Sequence, residues 1–135
     1  MQHIVLGTTG KRPGNPQRAR AVLADAVDMF HSLGDAAGEA NALLELCDSH
    51  MMLEDWEKAN ELAGEALSLH RTVGDRVREG IDLLNLAECN WKLANRQDAI
   101  QNVTAALRIL EDSRHEYAII AREHLQKWLS AAPND

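Results

Sequence analysis

The sequence predicts an all-α protein: antiparallel helical hairpins, about six helices in all, stacked side by side as an α-solenoid. Three observations predict it. First, a unit of forty residues recurs: Leu33-Gly34-Asp35 returns as Val73-Gly74-Asp75, and the same step carries Ala26 onto Ala66 and Ala106, and Leu43-Leu44 onto Leu83-Leu84. It also carries Leu46 onto Leu86, Leu53 onto Leu93 and Ala59 onto Ala99, so the matches fall on small and apolar residues, as they do when stacked units share a core. Second, apolar residues inside each unit recur at i, i+3, i+4 and i+7, the period of a helix buried on one face. Third, aromatics make up 4% of the 135 residues and prolines number three, against abundant Leu and Ala, which disfavours an all-β sandwich or barrel.

Each element has its own local reason. Asn15-Pro16 places a cap and then a proline in the first turn of a helix over 16–33. Asp35 caps a helix over 36–53, whose stripe is Leu43, Leu46, Cys47, His50 and Leu53. Asp55 caps 56–72, with Ala59, Leu62, Ala63, Ala66, Leu67 and Leu69 on one side. Gly74 suits a helix C-terminus and Asp75 the following N-cap, opening 76–93; a helix over 96–111 follows behind Asn95. Ser113-x-x-Glu116 reads as a capping box opening a last helix over 114–131, with 132–135 as a tail. Turns this short force successive helices back as antiparallel neighbours.

Residues 1–14 read as a flexible leader or a degenerate half repeat. Leu6-Gly7 falls forty residues before Leu46-Cys47, yet Thr8-Thr9-Gly10 and Pro13-Gly14 break a helix there. The helix over 16–33 is therefore expected to lack its natural neighbour, which an upstream domain, a second copy or the N-terminal segment would replace.

The alanines have a mechanical task. Ala59, Ala63, Ala66, Ala99 and Ala106 let helices approach where leucines would hold them apart, and Gly80, aligned with Ala40, is expected to serve the same close packing. Together these residues resemble the tetratricopeptide repeat family. Leu46-Cys47 and Leu86-Ala87 fill the family's Leu-Gly pair, and His50 and Asn90 stand at its aromatic position, a departure. Glu54-Asp55-Trp56 fills its turn, followed by Ala59, Ala66 and Leu67; Ala94-Asn95-Arg96 with Ala99, Ala106 and Leu107 repeats the arrangement. The unit is forty residues instead of the family's usual ~34, lengthening each helix by nearly a turn. Such long repeats resemble the helical arms of bacterial signalling and regulatory proteins and intracellular peptide-pheromone receptors. The resemblance implies a right-handed stack and a protein-binding function.

Composition narrows the function further. Lys and Arg number 14 against 21 Asp and Glu, a net charge of −7, which opposes binding to a phosphate backbone, so no nucleic acid is expected. No apolar run approaches a membrane span, the opening residues lack a secretory pattern, and Cys47 and Cys89 form no disulfide framework, which points to the cytoplasm. The six histidines show no HExxH motif and no metal-ligand spacing; His50 lies in a core stripe, and His31 and His70 sit near helix C-termini, where they favour the helix dipole. Cys47 occupies a packing position with no visible base beside it. Gly7-Thr8-Thr9-Gly10-Lys11-Arg12 departs from phosphate-loop spacing. No catalytic, cofactor or metal site is expected, and the chain is not read as an enzyme.

The resemblance implies that the first helix of each hairpin lines a concave groove. Asn41, Leu44, Glu45, Asp48 and Met51 on one hairpin, and Leu84, Asn85, Glu88 and Trp91 on the next, would form an apolar floor edged with acid. Its expected partner is a protein or peptide with apolar anchors and positive charge. The plainer alternative is that Met51 and Trp91 pack hairpin on hairpin. Two further readings stand beside the groove: an oligomerisation or regulatory arm of a signalling protein, self-associating through the helix over 16–33, and a small-molecule or pheromone sensor with a pocket near Trp91.

Overall fold

The computed structural model describes residues 15–131. Six helices follow one another: α1 (Pro16–Ser32), α2 (Ala36–Met52), α3 (Trp56–Val73), α4 (Arg76–Lys92), α5 (Arg96–Asp112) and α6 (Ala118–Leu129). No strand occurs among the described residues. The leader or half repeat expected over 1–14 and the tail over 132–135 lie outside them.

One turn is used five times. Gly34, Glu54, Gly74, Ala94 and Arg114 all take the left-handed conformation, with φ of 71°, 60°, 77°, 66° and 54°. They stand twenty residues apart. The next residue then donates its N–H across the helix end to a carbonyl five residues back: Asp35 to Phe30, Asp55 to His50, Asp75 to His70, Asn95 to Asn90 and His115 to Leu110, all at 2.8–2.9 Å. This is the bond that closes a helix and reverses the chain. The same residue then starts the next helix. Asp35, Asp55 and Asp75 accept from the backbone N–H of Gly38, Lys58 and Arg78, and upstream Asn15 accepts from Gln17 and Arg18.

The last helix departs from the sequence expectation. It starts at Ala118, one turn later than the capping box implied, because Arg114 takes the fifth left-handed turn and the chain is still reversing at that point. The Ser113 hydroxyl donates back to the Ile109 carbonyl, and His115 Nδ1 accepts from the Tyr117 N–H instead. Arg96 holds the far end of α6, donating to the Trp128 and Ala131 carbonyls at 2.8 and 2.9 Å.

Each helix packs on the ones before and after it. The interface between α2 and α3 is built on Ala59, Ala63 and Ala66 under Leu43 and Cys47, and that between α4 and α5 on Ala99, Val103 and Ala106 under Leu84 and Ala87. Cys47 Sγ lies 3.3 Å from the Ala59 carbonyl, a side chain resting directly on the neighbour's backbone. Cys89 on α4 belongs to the first cluster and Leu86 touches both, which joins the two hairpins into one core.

Gly80 meets the same closeness between α4 and α5. A methyl group there would stand 2.8 Å from Ile109 Cγ2 and 3.1 Å from Leu110 Cδ2, whereas one on Gly64 would meet nothing within 4 Å. Opposite outcomes follow for one substitution. Gly64→Ala should stabilise by about 0.5–1 kcal/mol through helix propensity. Gly80→Ala should destabilise by about 1 kcal/mol, since overpacking outweighs that gain. Urea unfolding of the two variants beside wild type checks both signs.

Candidate functional site

The first helices of the hairpins, α2 and α4, lie beside each other, and α6 lies beside α4. Asn85 Nδ2 on α4 donates to Asp48 Oδ1 on α2 at 3.4 Å. Trp91 on α4 lies flat on Trp128 of α6, ring centroids 4.8 Å apart and planes within 8°. His124 Nε2 on α6 stands 4.0 Å from Glu88 Oε1 on α4. A layer of this kind buries more than one stripe of each helix, because α4 has α2, α3, α5 and α6 around it. Ten residues of α4 are buried, among them Glu79, Asp82, Asn85 and Glu88.

At the N-terminal halves of these helices the layer opens into a cleft of about 390 Å³. Asn41, Leu44 and Glu45 line it from α2, Val77, Arg78 and Ile81 from α4, and His115 from the turn before α6. Leu44 and Ile81 are buried and make an apolar floor, with half-buried Val77 beside them. The rim is polar. Arg78 is occupied with Asp75, 2.9 Å away, and burial raises the Glu45 carboxyl above the usual glutamate range.

The nine residues expected to line one long groove therefore divide. Asn41, Leu44 and Glu45 line the cleft. Asp48, Met51, Leu84, Asn85 and Glu88 are buried, and the accessibility expected of them is not found. Trp91 is half-buried against Trp128 and does not line the cleft. The reason is the layer itself: counting one turn round from the α2–α3 stripe reaches the surface of an isolated hairpin, but in the stack it reaches the next hairpin.

Sequence reasoning also missed a buried polar link. His70 was placed at a helix end for its dipole; it lies in the interior, its Nδ1 2.5 Å from Asp82 Oδ2 on α4 and its Nε2 3.0 Å from Asn41 Oδ1 on α2. One ring thus ties three helices together and orients a residue of the cleft. The repeat alignment carried a signal for this, since His70 stands forty residues after Phe30, which packs on Gly38 of α2. Burial pushes the Asp82 carboxyl up to about 6, with the adjacent His70 working against the shift. His124 is driven down to about 4, chiefly by burial and then by Lys127. Burial also raises the thiols, Cys89 to about 12 and Cys47 well above its ordinary value, which makes them packing groups and poor nucleophiles.

A family model described as tetratricopeptide repeat matches residues 38–112, from the first turn of α2 to the end of α5. No curated protein matches the chain. Among the described residues no helix is long and apolar enough to cross a membrane.

The buried pair answers to deletion of one partner. His70→Phe should cost about 3–5 kcal/mol by leaving Asp82 buried without its partner, and His70→Phe/Asp82→Leu should recover most of it, read by urea unfolding. His124 binds a proton near pH 6.5 when unfolded but only near 4 when folded, so its contribution is complete above pH 6.5 and lost as pH falls towards 4. The loss approaches about 3 kcal/mol. His124→Phe, which keeps the stack on Trp128, should abolish it in urea titrations at successive pH values. Asp82 acts with the opposite sign, because folded Asp82 holds its proton up to about pH 6 and so favours the fold as pH falls, while the lowered His50 and Asp75 add to the loss.

Proposed function

Because the chain belongs to the tetratricopeptide repeat family, whose repeats generally mediate protein–protein interaction, we propose that it is a protein- or peptide-binding module whose partner docks in the cleft between α2 and α4. The cleft carries the reading. Its floor is apolar, its rim is hydrogen-bonding and its framework is rigid, the combination that buries an anchor side chain and orients the groups beside it. Asn41, already held by His70, needs no reordering to meet a partner. Glu45, partly stripped of water, favours a cationic or hydrogen-bond-donating group next to the anchor, and the net charge of −7 steers partners of the same kind. The partner class is an apolar side chain flanked by Lys, Arg or amide groups. No chemistry is asked of the site: the family is a non-enzymatic repeat module. Self-association through α1 is the second reading, favoured by the open apolar side of that helix.

Selection of a displayed peptide library on the full chain tests the cleft. Enriched peptides should carry an apolar anchor beside Lys or Arg, and Glu45→Lys/Val77→Arg should weaken the best of them at least about tenfold in fluorescence anisotropy. Acidic winners, or equal affinity for the variant, would overturn the proposal.

A further inference from the structure

His70 offers its two ring nitrogens to two different helices, and the protons on them decide what each contact can be. The ring is buried and so is Asp82, and both contacts are direct. Nδ1 lies 2.5 Å from Asp82 Oδ2 on α4, and Nε2 lies 3.0 Å from Asn41 Oδ1 on α2. An amide oxygen only accepts, so Nε2 carries a hydrogen in this arrangement. Nδ1 and Oδ2 hold a second hydrogen between them, because two bare lone pairs do not approach so closely. The pair therefore stores two protons and has no net charge in the interior. With its oxygen turned to His70, Asn41 leaves its NH2 end for the cleft that it lines.

Removing one proton reverses that end. The remaining hydrogen stays on Nδ1, where the buried Asp82 carboxylate holds it in a charge-assisted bond. Nε2 is left with a lone pair, which repels the oxygen opposite it. A half-turn of the Asn41 amide restores a bond: its NH2 donates to Nε2 and its oxygen faces the cleft. We propose that His70 is a positioning residue for the cleft, its proton count setting whether Asn41 offers a partner a donor or an acceptor. The inference rests on the cleft reading and refines its partner class. Singly protonated, the pair makes the cleft a taker of Lys, Arg or amide N–H groups beside the apolar anchor; doubly protonated, it favours a carbonyl or hydroxyl oxygen there.

The surroundings allow the exchange. Burial pushes the Asp82 carboxyl up to about 6, which brings the pair's titration into mildly acidic solution. Asp75 in the turn and Glu79 on α4 also act on Asp82, and each is engaged by an arginine, Arg78 at 2.9 Å and Arg71 at 3.0 Å. On α2, the Cys47 thiol is raised well above its ordinary value and stays neutral, and Asp48 accepts from Asn85. Glu45 and His115 line the cleft and titrate in their own right, so the test separates Asn41 from them.

Nitrogen-15 NMR of the full chain without ligand, from about pH 5 to about pH 8, reads the pair directly. His70 Nε2 should carry a hydrogen at the acid end and none at the alkaline end, and the Asn41 side-chain amide should shift with the same midpoint. His70→Gln, whose amide can donate to Asp82 and accept from Asn41, should hold Asn41 in one orientation throughout. Binding is read by fluorescence anisotropy with a cleft-selected peptide bearing Lys or Arg, in a Glu45→Gln background. It should be about fivefold tighter at the alkaline end, and adding Asn41→Ala should remove most of that difference. Nε2 in one state over the whole range, an Asn41 amide indifferent to the titration, or a difference that survives Asn41→Ala would each overturn the proposal. The NMR transition with no peptide selected at all would support the reorientation and overturn the cleft reading alone.

Discussion

Everything in this molecule depends on the chain reversing in the same way every twenty residues. A left-handed residue costs about 1 kcal/mol or more wherever it is not glycine, and three of the five positions here are Glu54, Ala94 and Arg114. The cost is tolerated because the alternative is worse. A helix that ran on past residue 94 would carry its apolar face away from the neighbour that buries it. With the reversal fixed in phase, each helix meets the next on the same side, and alanines spaced seven apart fall opposite the leucines that need them. Burial of the core is a consequence of that phase.

Close approach has a second consequence, a polar interior. Helices brought together over alanine leave little room for long side chains to reach water, so Asp48, Asp82, Asn85 and Glu88 on the inner layer are enclosed with the leucines. Enclosed polar groups must find partners. Asp82 takes His70, and Asn85 takes Asp48. These bonds run between helices at fixed positions, which gives the stack a register that apolar packing alone, being non-directional, does not specify. His70 extends that register to Asn41 and so to the wall of the cleft.

The two ends of the stack are finished differently. α6 closes one end with Arg122, Glu123 and Gln126 outward, Arg122 paired to Glu111, and with Trp128 sealed inward against Trp91. At the other end of the described residues, α1 exposes Val22, Met29 and Leu33. A terminal unit of a repeat protein ordinarily turns a polar side to solvent. Among the described residues the two ends differ in degree: α6 mixes exposed Ile119 and Leu129 with exposed charge, and α1 shows an apolar row.

The sequence by itself determined the helices, their caps and the repeat, because these rest on local chemistry: Asp at an N-cap, glycine in a left-handed turn, apolar residues at a period of 3.6. Ala59, Ala63, Ala66, Ala99 and Ala106 were legible as contact positions, and Gly80 as a close approach, for the same reason. The start of α6 was not, since Ser113-x-x-Glu116 has the pattern of a capping box while the reversal at Arg114 claims those residues first. Only the tertiary structure decided the site. Asp48, Met51, Leu84, Asn85 and Glu88 sit one turn round from a visible stripe, and whether that turn faces water depends on the neighbouring hairpin, about forty residues away in the chain. The His70–Asp82–Asn41 link was hidden for the same reason: three polar residues on three helices carry no common period, and distance alone unites them.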